Sequence, residues 1–357
     1  MEFKDILSGL KIKADIEKVE KNGTTTKIYL KLHPSAKVCR IENCSTEIAL
    51  GSKSYGKPII RIIPEQGLVC IELLNTQIHT VNFSEFDEWF QTGIIKEYGE
   101  LPVVLGRKHD GGELIIDLAQ MPHLLVAGGS GSGKSALLHS IIASIIKTNH
   151  GTRLILIDGK QVEFQPYQNI KQLLYPVISN AEDALDVLED LISEMDNRFI
   201  ILEKAGANNI KEYNKYGNPL PYIVSITDEF SDIQRIFKKE FQSAMCILSQ
   251  KGRAAGIHLI IATQRPDCGV INGVVKANFT SRIALRTATS VDSRVILDKN
   301  SAEVLRGNGD AIINSGNFDF VRFQSAYIGQ EERAKLCEAN RRPGPKWWKE
   351  MWKESEI

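Results

Sequence analysis

Eight consecutive residues decide the fold: Gly128, Gly129, Ser130, Gly131, Ser132, Gly133, Lys134 and Ser135. They match the pattern G-x-x-x-x-G-K-[ST], with an apolar run before them and a long apolar helical segment after them. In this setting the glycines let backbone N–H groups point at a phosphate, and the helix N-terminus adds its positive dipole end. A flexible glycine-serine turn would not require the flanking strand and helix. All eight residues are therefore predicted to bind ATP, with Lys134 bridging the β- and γ-phosphates and Ser135 ligating Mg²⁺.

The second half of such a site is an acidic residue at the end of another buried strand. The apolar run Tyr222 to Ile226 is followed by Thr227, Asp228 and Glu229. Asp228 is predicted to hold the magnesium shell and Glu229 to polarise the attacking water. Taken alone, an Asp-Glu pair after an apolar run is as often a helix cap. The phosphate-binding loop favours the catalytic interpretation.

The sequence around this site alternates between short apolar runs and helical segments, which is typical of parallel strands covered by crossover helices. The runs are Leu124 to Ala127, Leu154 to Ile157, Tyr222 to Ile226, Ile257 to Ala262 and Ile283 to Leu285. The clearest helix is predicted to begin after an N-cap at Asn180 and to end near Gly206. An open α/β domain is expected.

The residues before about 100 have a different pattern. Two strand pairs are predicted, Ile12 to Val19 with Thr24 to Leu32 around a turn at Asn22-Gly23, and Ile59 to Ile63 with Leu68 to Leu73. A helix is expected over Ile41 to Leu50, and Phe83 to Ile95 is predicted to be a linking helix. The predicted domains are a small α+β domain at 1–100, a P-loop ATPase motor at 101–335 and a tail at 336–357.

Composition limits the remaining possibilities. Hydrophobic residues at 43% and charged residues at 25% exclude a disordered or collagen-like chain. No apolar run approaches the roughly 20 residues of a membrane span, and no signal peptide is visible, so a cytoplasmic protein is expected. The six cysteines are not spaced as a zinc site. Basic and acidic residues balance at 44 each, so any contacts with DNA must be local.

Longer strings resemble the FtsK/SpoIIIE family of DNA translocases over about Leu10 to Ile328. In the motor they are Met121-Pro122-His123-Leu124-Leu125-Val126-Ala127-Gly128, Thr227-Asp228-Glu229-Phe230, Lys251-Gly252-Arg253-Ala254-Ala255-Gly256-Ile257-His258, Ala262-Thr263-Gln264-Arg265-Pro266, Ile271-Asn272-Gly273-Val274-Val275-Lys276-Ala277-Asn278 and Asp292-Ser293-Arg294-Val295-Ile296-Leu297-Asp298. The N-terminal strings Lys37-Val38-Cys39-Arg40-Ile41-Glu42-Asn43 and Ile71-Glu72-Leu73-Leu74-Asn75 resemble the family's α subdomain. The resemblance implies a RecA-like P-loop NTPase motor with a parallel-core sheet, preceded by the small α+β domain.

The family's functional residues carry over by position. The resemblance implies that Arg253 is an arginine finger, which would reach the γ-phosphate of a neighbouring subunit in a homo-oligomeric, hexameric ring. A surface arginine that caps a helix is the alternative, and Arg282 is the second candidate for the finger. Gln264 would sense the γ-phosphate. Arg265, Lys276 and Arg294 would contact the phosphates of double-stranded DNA.

The two ends of the chain differ from the family pattern. Members carry N-terminal membrane spans and often a C-terminal winged-helix module, whereas this chain starts inside the α subdomain and stops after the motor. Neither feature is therefore expected, and Met1 leading directly into the first domain indicates a complete product. In the tail, Trp347, Trp348, Met351 and Trp352 would share one face of a helix that packs on the motor or docks a partner or a membrane surface.

These features together predict a soluble, ATP-dependent translocase of double-stranded DNA. Two rivals stay open. A protein-secretion ATPase of the same superfamily would thread polypeptide, although such relatives usually carry several motors and membrane spans. A non-translocating, ATP-dependent assembly switch would not need Lys134, Asp228, Glu229 and Arg253 together. A helicase-like accessory is disfavoured because the sequence offers no strand-separating element.

Overall fold

The computed structural model describes residues 3–21, 25–56, 58–75, 80–109, 111–121, 123–148, 151–215 and 218–342. It divides into two compact units, one formed by residues 1–80 with 107–113 and the other by residues 81–106 with 114–357. Residues 81–100 therefore group with the second unit. The domain limits expected from the sequence, at 100 and 335, stay a prediction. The predicted turn at Asn22-Gly23 and the tail from 343 onward lie outside the described residues.

The first unit is an antiparallel sheet with helices. Its elements are α1 (Phe3–Gly9), β1 (Ala14–Lys21), β2 (Thr25–Leu32), α2 (Val38–Asn43), α3 (Ser45–Ser52), β3 (Ile59–Ile63) and β4 (Leu68–Leu74). The strand order is β1-β2-β4-β3. Both predicted strand pairs are confirmed, and the predicted helix over 41–50 is two short helices that meet at Cys44. Ile41, Ile48 and Ile71 are fully buried between helices and sheet, which gives this unit a core of its own.

The second unit begins with β5 (Val81–Asn82) and contains most of the chain. The other strands are β6 (Pro102–Lys108), β7 (Glu113–Asp117), β8 (His123–Ala127), β9 (Arg153–Asp158), β10 (Ile223–Asp228), β11 (Ile257–Thr263), β12 (Ser281–Leu285), β13 (Asp310–Ser315) and β14 (Phe318–Tyr327). The helices are α4 (Asp87–Thr92), α5 (Lys134–Thr148), α6 (Ala181–Ala205), α7 (Ile210–Tyr213), α8 (Phe230–Ile236), α9 (Lys238–Ala255), α10 (Gly273–Asn278), α11 (Ser290–Leu297) and α12 (Gln330–Ala339), with short 3₁₀ turns at 83–86, 94–98, 165–167 and 302–304.

The large sheet has the order β7-β6-β14-β13-β12-β8-β11-β10-β9, and β5 pairs with β14 beside this path. Its centre, β12-β8-β11-β10-β9, is parallel throughout, which confirms the predicted parallel core. Strands β12, β13 and β14 pair antiparallel and extend the sheet into a mixed one. The predicted linking helix over 83–95 is shorter than expected, because α4 ends at Gly93 in a left-handed conformation (φ +78°).

Alternate residues of the parallel strands enter two separate cores. Leu124 and Val126 of β8 pack with α5 on one face, whereas Leu125 and Ala127 pack with α6, α8 and α9 on the other. Helix α6 begins and ends as predicted: Asn180 accepts a hydrogen bond from the Asp183 backbone (2.7 Å), and Gly206 closes the helix at φ +67°. Because the strands are parallel, their carboxyl ends meet at one edge of the sheet. That edge positions the candidate site.

A buried ion pair fixes the turn that leads into the hairpin of β13 and β14. Asp310 is fully buried and accepts two hydrogen bonds from the Arg322 guanidinium, at 2.9 Å and 2.5 Å, and one from the Arg306 backbone at 2.9 Å. Removal of one partner of a buried pair leaves the other charge without compensation. Asp310→Ala is therefore expected to lower the free energy of unfolding by about 3–5 kcal/mol in chemical denaturation.

The matched control for this prediction is Asp319→Ala, which removes an exposed carboxylate from the same hairpin. A change within about 0.5 kcal/mol is expected there. Equal effects of the two substitutions on the unfolding midpoint would contradict the assignment of a stabilising role to Asp310.

Candidate nucleotide-binding site

The phosphate-binding loop occupies the sharp connection between β8 and α5. Gly133 has φ +102°, and a Cβ atom there would lie 2.3 Å from the backbone nitrogen of Gly309. The Gly309 N–H donates to the Ser132 carbonyl at 2.8 Å, so the loop packs directly on the turn at 307–309. Only glycine fits this conformation at this distance. The loop's position between a strand and a helix N-terminus is the one the motif requires.

Two further backbone contacts hold the start of the loop. The Gly128 N–H donates to the Thr263 carbonyl (3.3 Å) at the end of β11, and the Gly129 N–H donates to the Arg286 carbonyl (2.8 Å) just after β12. A Cβ atom on Gly307 would lie 3.2 Å from Cζ of Arg286, which means that this guanidinium covers the turn beside the loop. The loop is therefore tied to both strands that flank β8.

The structure brings the predicted lysine and aspartate together. Lys134 and Asp228 are each 3% exposed, and Lys134 Nζ donates directly to Asp228 Oδ1. Burial raises the pKa of Asp228, and the neighbouring ammonium of Lys134 opposes that rise. Asp158, fully buried at the end of β9, pairs in register with Asp228. The carboxyl ends of β9 and β10 thus place the carboxylates of Asp158 and Asp228 near the buried ammonium of Lys134.

Glu229 follows β10 in a left-handed backbone conformation (φ +58°, ψ +58°), which is uncommon for a residue with a side chain. Its carboxylate accepts hydrogen bonds from the Ser231 hydroxyl (2.5 Å), the Thr263 hydroxyl (2.6 Å) and the Gln264 backbone N–H (3.0 Å). Burial favours the protonated acid, but these three donors outweigh it and lower the pKa of Glu229. The Glu229 carboxylate is therefore held ionised, which is the state that a general base requires.

Gln264 and Arg265 begin the segment after β11. The Gln264 backbone contacts Glu229, and the Arg265 N–H donates to the Thr263 hydroxyl at 3.0 Å. Thr263 thus bonds both to Glu229 and to the backbone of Arg265. Arg265 itself is exposed. Two hydrogen bonds through the Thr263 hydroxyl therefore join the Glu229 carboxylate to the backbone of the exposed Arg265.

Sequence reasoning missed a second carboxylate beside the loop. The Ser135 hydroxyl donates to Glu163 Oε1 at 2.7 Å, and His139 Nε2 lies 3.5 Å from Glu163 Oε2. The contact with His139 lowers the pKa of Glu163 to about 2, with help from Ser135 and against the effect of burial. Burial itself lowers the pKa of His139. The spacing of Ser135 and His139 on one helix face was the available signal.

The oxygen donors at this edge fit Mg²⁺. Ser135 offers a hydroxyl and Asp228 a carboxylate, and Mg²⁺ in nucleotide sites takes a few such protein oxygens together with phosphate oxygens. Within the described part of the chain, no group of three or more His, Cys, Asp or Glu side chains could hold a metal ion without a nucleotide. The oxygen donors of Ser135 and Asp228 thus fit an ion that is also held by phosphate oxygens.

Arg253 lies far from this edge. It occupies the last turn of α9, which precedes the amino end of β11, and Gly252 beside it packs near His123, the first residue of β8. The phosphate-binding loop follows the carboxyl end of β8. The seven residues of β11 separate the two edges by about 20 Å at roughly 3.3 Å per residue. An arginine side chain cannot cross that distance within one subunit.

Arg253 is exposed beside an open cavity of about 730 Å³. Glu100, Asp117, Lys211 and Lys251 also contribute charged groups to its lining. Lys211 and Glu100 pair with each other at 3.2 Å. The cavity is therefore a charged surface depression on the side of the sheet opposite the phosphate-binding loop.

The other predicted DNA contacts, Lys276 and Arg294, lie next to each other. Lys276 Nζ pairs with Asp298 Oδ1 at 2.7 Å and lies 3.4 Å from the Arg294 carbonyl. Arg294 is exposed and donates to Asn300 at 2.8 Å. Because Asp298 partly neutralises Lys276, Arg265 and Arg294 are the freer of the three cations for an external phosphate.

Arg282, the second sequence candidate for the finger, is bound within its own subunit. Its guanidinium donates to the carbonyls of Phe279 (3.0 Å), Lys276 (3.0 Å) and Ile296 (3.2 Å) and to the carboxylate of Asp298 (2.6 Å). These four contacts involve all three guanidinium nitrogens, which together carry five N–H donors. The arrangement favours Arg253 over Arg282 as a group that reaches a neighbour.

Solved structures with similar folds are P-loop ATPase motors. The pCW3 conjugation coupling protein TcpA, in its monomer form with ATPγS, superposes with a TM-score of 0.68 over 95% of this chain and 98% of its own, at 23% identity. The cytoplasmic domain of the Thermomonospora curvata Type VII secretion ATPase EccC superposes with a TM-score of 0.58 over 69% of this chain and 32% of its own, at 26% identity. The fold class predicted from the sequence is confirmed.

Sequence comparison is more specific. DNA translocase FtsK of Streptococcus pneumoniae is 39% identical over 91% of this chain and 44% of its own length, and that of Treponema pallidum is 37% identical over 94% and 43%. This chain thus spans less than half the length of these curated relatives. No helix of the described residues is long and apolar enough for a membrane span. Because the FtsK/SpoIIIE family model also matches residues 92–268, the chain belongs to the FtsK/SpoIIIE family.

Proposed function

We propose that this chain is an ATP-dependent translocase of double-stranded DNA that works as a ring of six subunits. The observation that carries the proposal is the hydrogen-bonded connection from Glu229 through Thr263 to the backbone of Arg265. It joins the carboxylate that would activate the attacking water to an exposed cation that would hold DNA. The named activity of the FtsK relatives supports DNA as the substrate. The cytoplasm, which supplies both ATP and DNA, is the proposed compartment.

The nucleotide half of the mechanism follows from the contacts at the sheet edge. The backbone N–H groups of the loop would bind the phosphates, and Lys134 would turn from Asp228 to the β- and γ-phosphates. Ser135 and Asp228 would hold Mg²⁺, which neutralises charge on the phosphate oxygens when it is bound. Glu229 would orient a water for attack on the γ-phosphate and accept its proton.

The ring is part of the proposal because Arg253 cannot serve its own site. With about 20 Å of strand between the two edges, its guanidinium can meet a γ-phosphate only across a subunit interface. An arginine supplied in this way stabilises the charge of the transition state and makes hydrolysis depend on the neighbour. The charged cavity around Arg253 is the surface that would receive the adjacent subunit.

Movement would come from the segment after β11. A change at Glu229 when the γ-phosphate leaves would alter its bonds to Thr263 and to the Gln264 backbone. Both bonds lie at the base of the segment that carries Arg265, so the arginine would shift with the state of the nucleotide. Contacts to DNA phosphates give grip without reading sequence, which suits a motor that moves along any duplex.

Arg265→Ala is expected to weaken DNA binding to the same extent on unrelated sequences. It is also expected to reduce the slope of log K against log salt by about 1. Fluorescence anisotropy with two duplexes of unrelated sequence, across a salt series, measures both effects. Lys276→Ala is the matched comparison and should change affinity less, because Asp298 already pairs with Lys276. An unchanged salt slope for Arg265→Ala would contradict a phosphate contact.

A protein-secretion ATPase is the second candidate, favoured by the likeness to EccC at 26% identity. A non-moving assembly switch is disfavoured because it would not need Lys134, Asp228, Glu229 and Arg253 together. The test of the proposal is displacement of a third strand from a long duplex during ATP turnover. ATP-dependent displacement is expected, whereas its absence alongside robust hydrolysis would contradict translocation and favour one of the rivals.

A further inference from the structure

The carboxylate of Glu163 contacts the last residue of the phosphate-binding loop but belongs to none of the motifs described above. It comes from the segment after β9 and reaches across to the first turn of α5, where Ser135 donates to Oε1 at 2.7 Å. Its other oxygen faces His139, one turn further along the same helix. Glu163 thus joins two positions on one face of α5, and one of them is the hydroxyl proposed to ligate Mg²⁺.

The partners of Glu163 fix its orientation. His139 Nε2 lies 3.5 Å from Glu163 Oε2, and because a carboxylate can only accept hydrogen bonds, this approach is favourable when Nε2 carries the proton. The opposite nitrogen, Nδ1, then accepts the hydroxyl proton of Tyr167, which lies 3.1 Å away. His139 and Tyr167 are both buried, at 5% and 0% exposure. A chain of contacts from the buried side chains of Tyr167 and His139 therefore ends on the carboxylate beside Ser135.

The chemistry of a serine ligand explains the use of such a carboxylate. A hydroxyl that gives a lone pair to Mg²⁺ must donate its hydrogen elsewhere, because it has one O–H and two lone pairs. Glu163 Oε1 is an acceptor at 2.7 Å in the direction that the Ser135 hydrogen takes. Partners behind a metal ligand commonly orient it and raise the affinity for the metal.

We propose that Glu163 is the positioning residue of the Mg²⁺ site, acting through the Ser135 hydroxyl and itself held by His139. The inference rests on the proposed nucleotide site. It adds to the loop motif a residue that would set the affinity of the site for Mg²⁺. The negative charge of Glu163 also favours a divalent cation at this edge, beside Asp228.

The segment that carries Glu163 does not depend on the Glu163 side chain for its shape. Asp158 Oδ2 accepts hydrogen bonds from the backbones of Glu163 (2.8 Å) and Phe164 (3.0 Å). Phe164 and Tyr167 are fully buried in the core. A substitution at Glu163 is therefore expected to remove the carboxylate and leave the segment in place.

The test is a Mg²⁺ titration of nucleotide binding with a fluorescent ATP analogue, without DNA and without turnover. Glu163→Ala is expected to raise the Mg²⁺ concentration at half-saturation about 10–100-fold. Binding of the analogue in EDTA should stay at the wild-type level. Glu203→Ala, which removes an exposed carboxylate from the last turns of α6, should leave both measurements unchanged. Because DNA is absent, failure of the translocase proposal would not alter these results.

Two further variants separate positioning from structure. Glu163→Gln keeps an acceptor for Ser135, so its shift should be smaller than that of alanine. In the Ser135→Ala background, Glu163→Ala should add little, because a residue that acts through a hydroxyl has no effect once the hydroxyl is gone. The proposal is overturned if the Mg²⁺ midpoint does not move, if binding in EDTA falls equally, or if the two substitutions are additive.

Discussion

Replacement of Lys134 by alanine is expected to lower kcat for ATP about 10²–10³-fold, the effect of removing one charge-stabilising donor from a transition state. The side chain is 3% exposed and its ammonium already points along the edge of the sheet at Asp228. Steady-state phosphate release at saturating ATP measures the loss.

Folding must be checked in the same experiment, because Lys134→Ala leaves Asp228 buried without its cation. Lys134→Arg keeps the positive charge, yet it should also be inactive because a planar guanidinium cannot replace the compact ammonium in this space. Lys204→Ala, on the exposed end of α6, is the matched control and should retain full activity. Near-normal kcat for Lys134→Ala would refute the assignment of residues 128–135 as the loop that binds the phosphates of ATP.

Arg253→Ala is expected to lower kcat about 10³–10⁵-fold while ATP binding persists, since an arginine supplied across an interface acts on the transition state. Lys251→Ala removes a cation from the same helix turn and the same cavity, and should have a much smaller effect. Normal hydrolysis by Arg253→Ala at protein concentrations where subunits associate would contradict the role of Arg253 as an arginine finger.

Mixing the two inactive variants tests the interface directly. In a mixed ring, a Lys134→Ala subunit beside an Arg253→Ala subunit forms one interface with both wild-type residues. A 1:1 mixture is therefore expected to regain part of the activity that neither variant has alone. A mixture as inactive as its components would show that Arg253 does not complete a neighbouring site.

The parallel core and the nucleotide edge were predictable because their signals are local. A run such as Leu154 to Ile157 buries both faces and so contains little but apolar residues, and the loop carries glycines that its backbone requires. The cap at Asn180 and the stop at Gly206 are likewise local chemistry. Asp228 could be paired with Lys134 because parallel strands end at a common edge.

The antiparallel extension of the sheet was not predicted. Strands β13 and β14 are joined by a turn that includes Gly316 and Asn317, which is a recognisable hairpin signal. The pairing of this hairpin with β12 joins residues that are distant in the sequence. Strands β6 and β7 follow the boundary expected at residue 100, and neither strand was predicted. Their membership of the sheet depends on pairing with distant strands, which no local window contains.

The same reason hides part of the site. The contact between Ser135 and Glu163 joins residues 28 positions apart, and the register of Asp158 with Asp228 exists only once the strands have paired. A lone glutamate after a strand carries no motif. Arg253 lies at the amino end of β11, whereas the phosphate-binding loop lies at the carboxyl end of the parallel strands. The distance between them depends on the folded sheet and cannot be read from the sequence.

The most direct test of the central claim is the steady-state ATPase rate of the wild-type chain with and without long double-stranded DNA, measured across a salt series. If Glu229 and Arg265 are coupled through Thr263, bound DNA should speed hydrolysis, and the stimulation should shrink as salt rises. Hydrolysis at the same rate in the presence and absence of DNA would contradict the account.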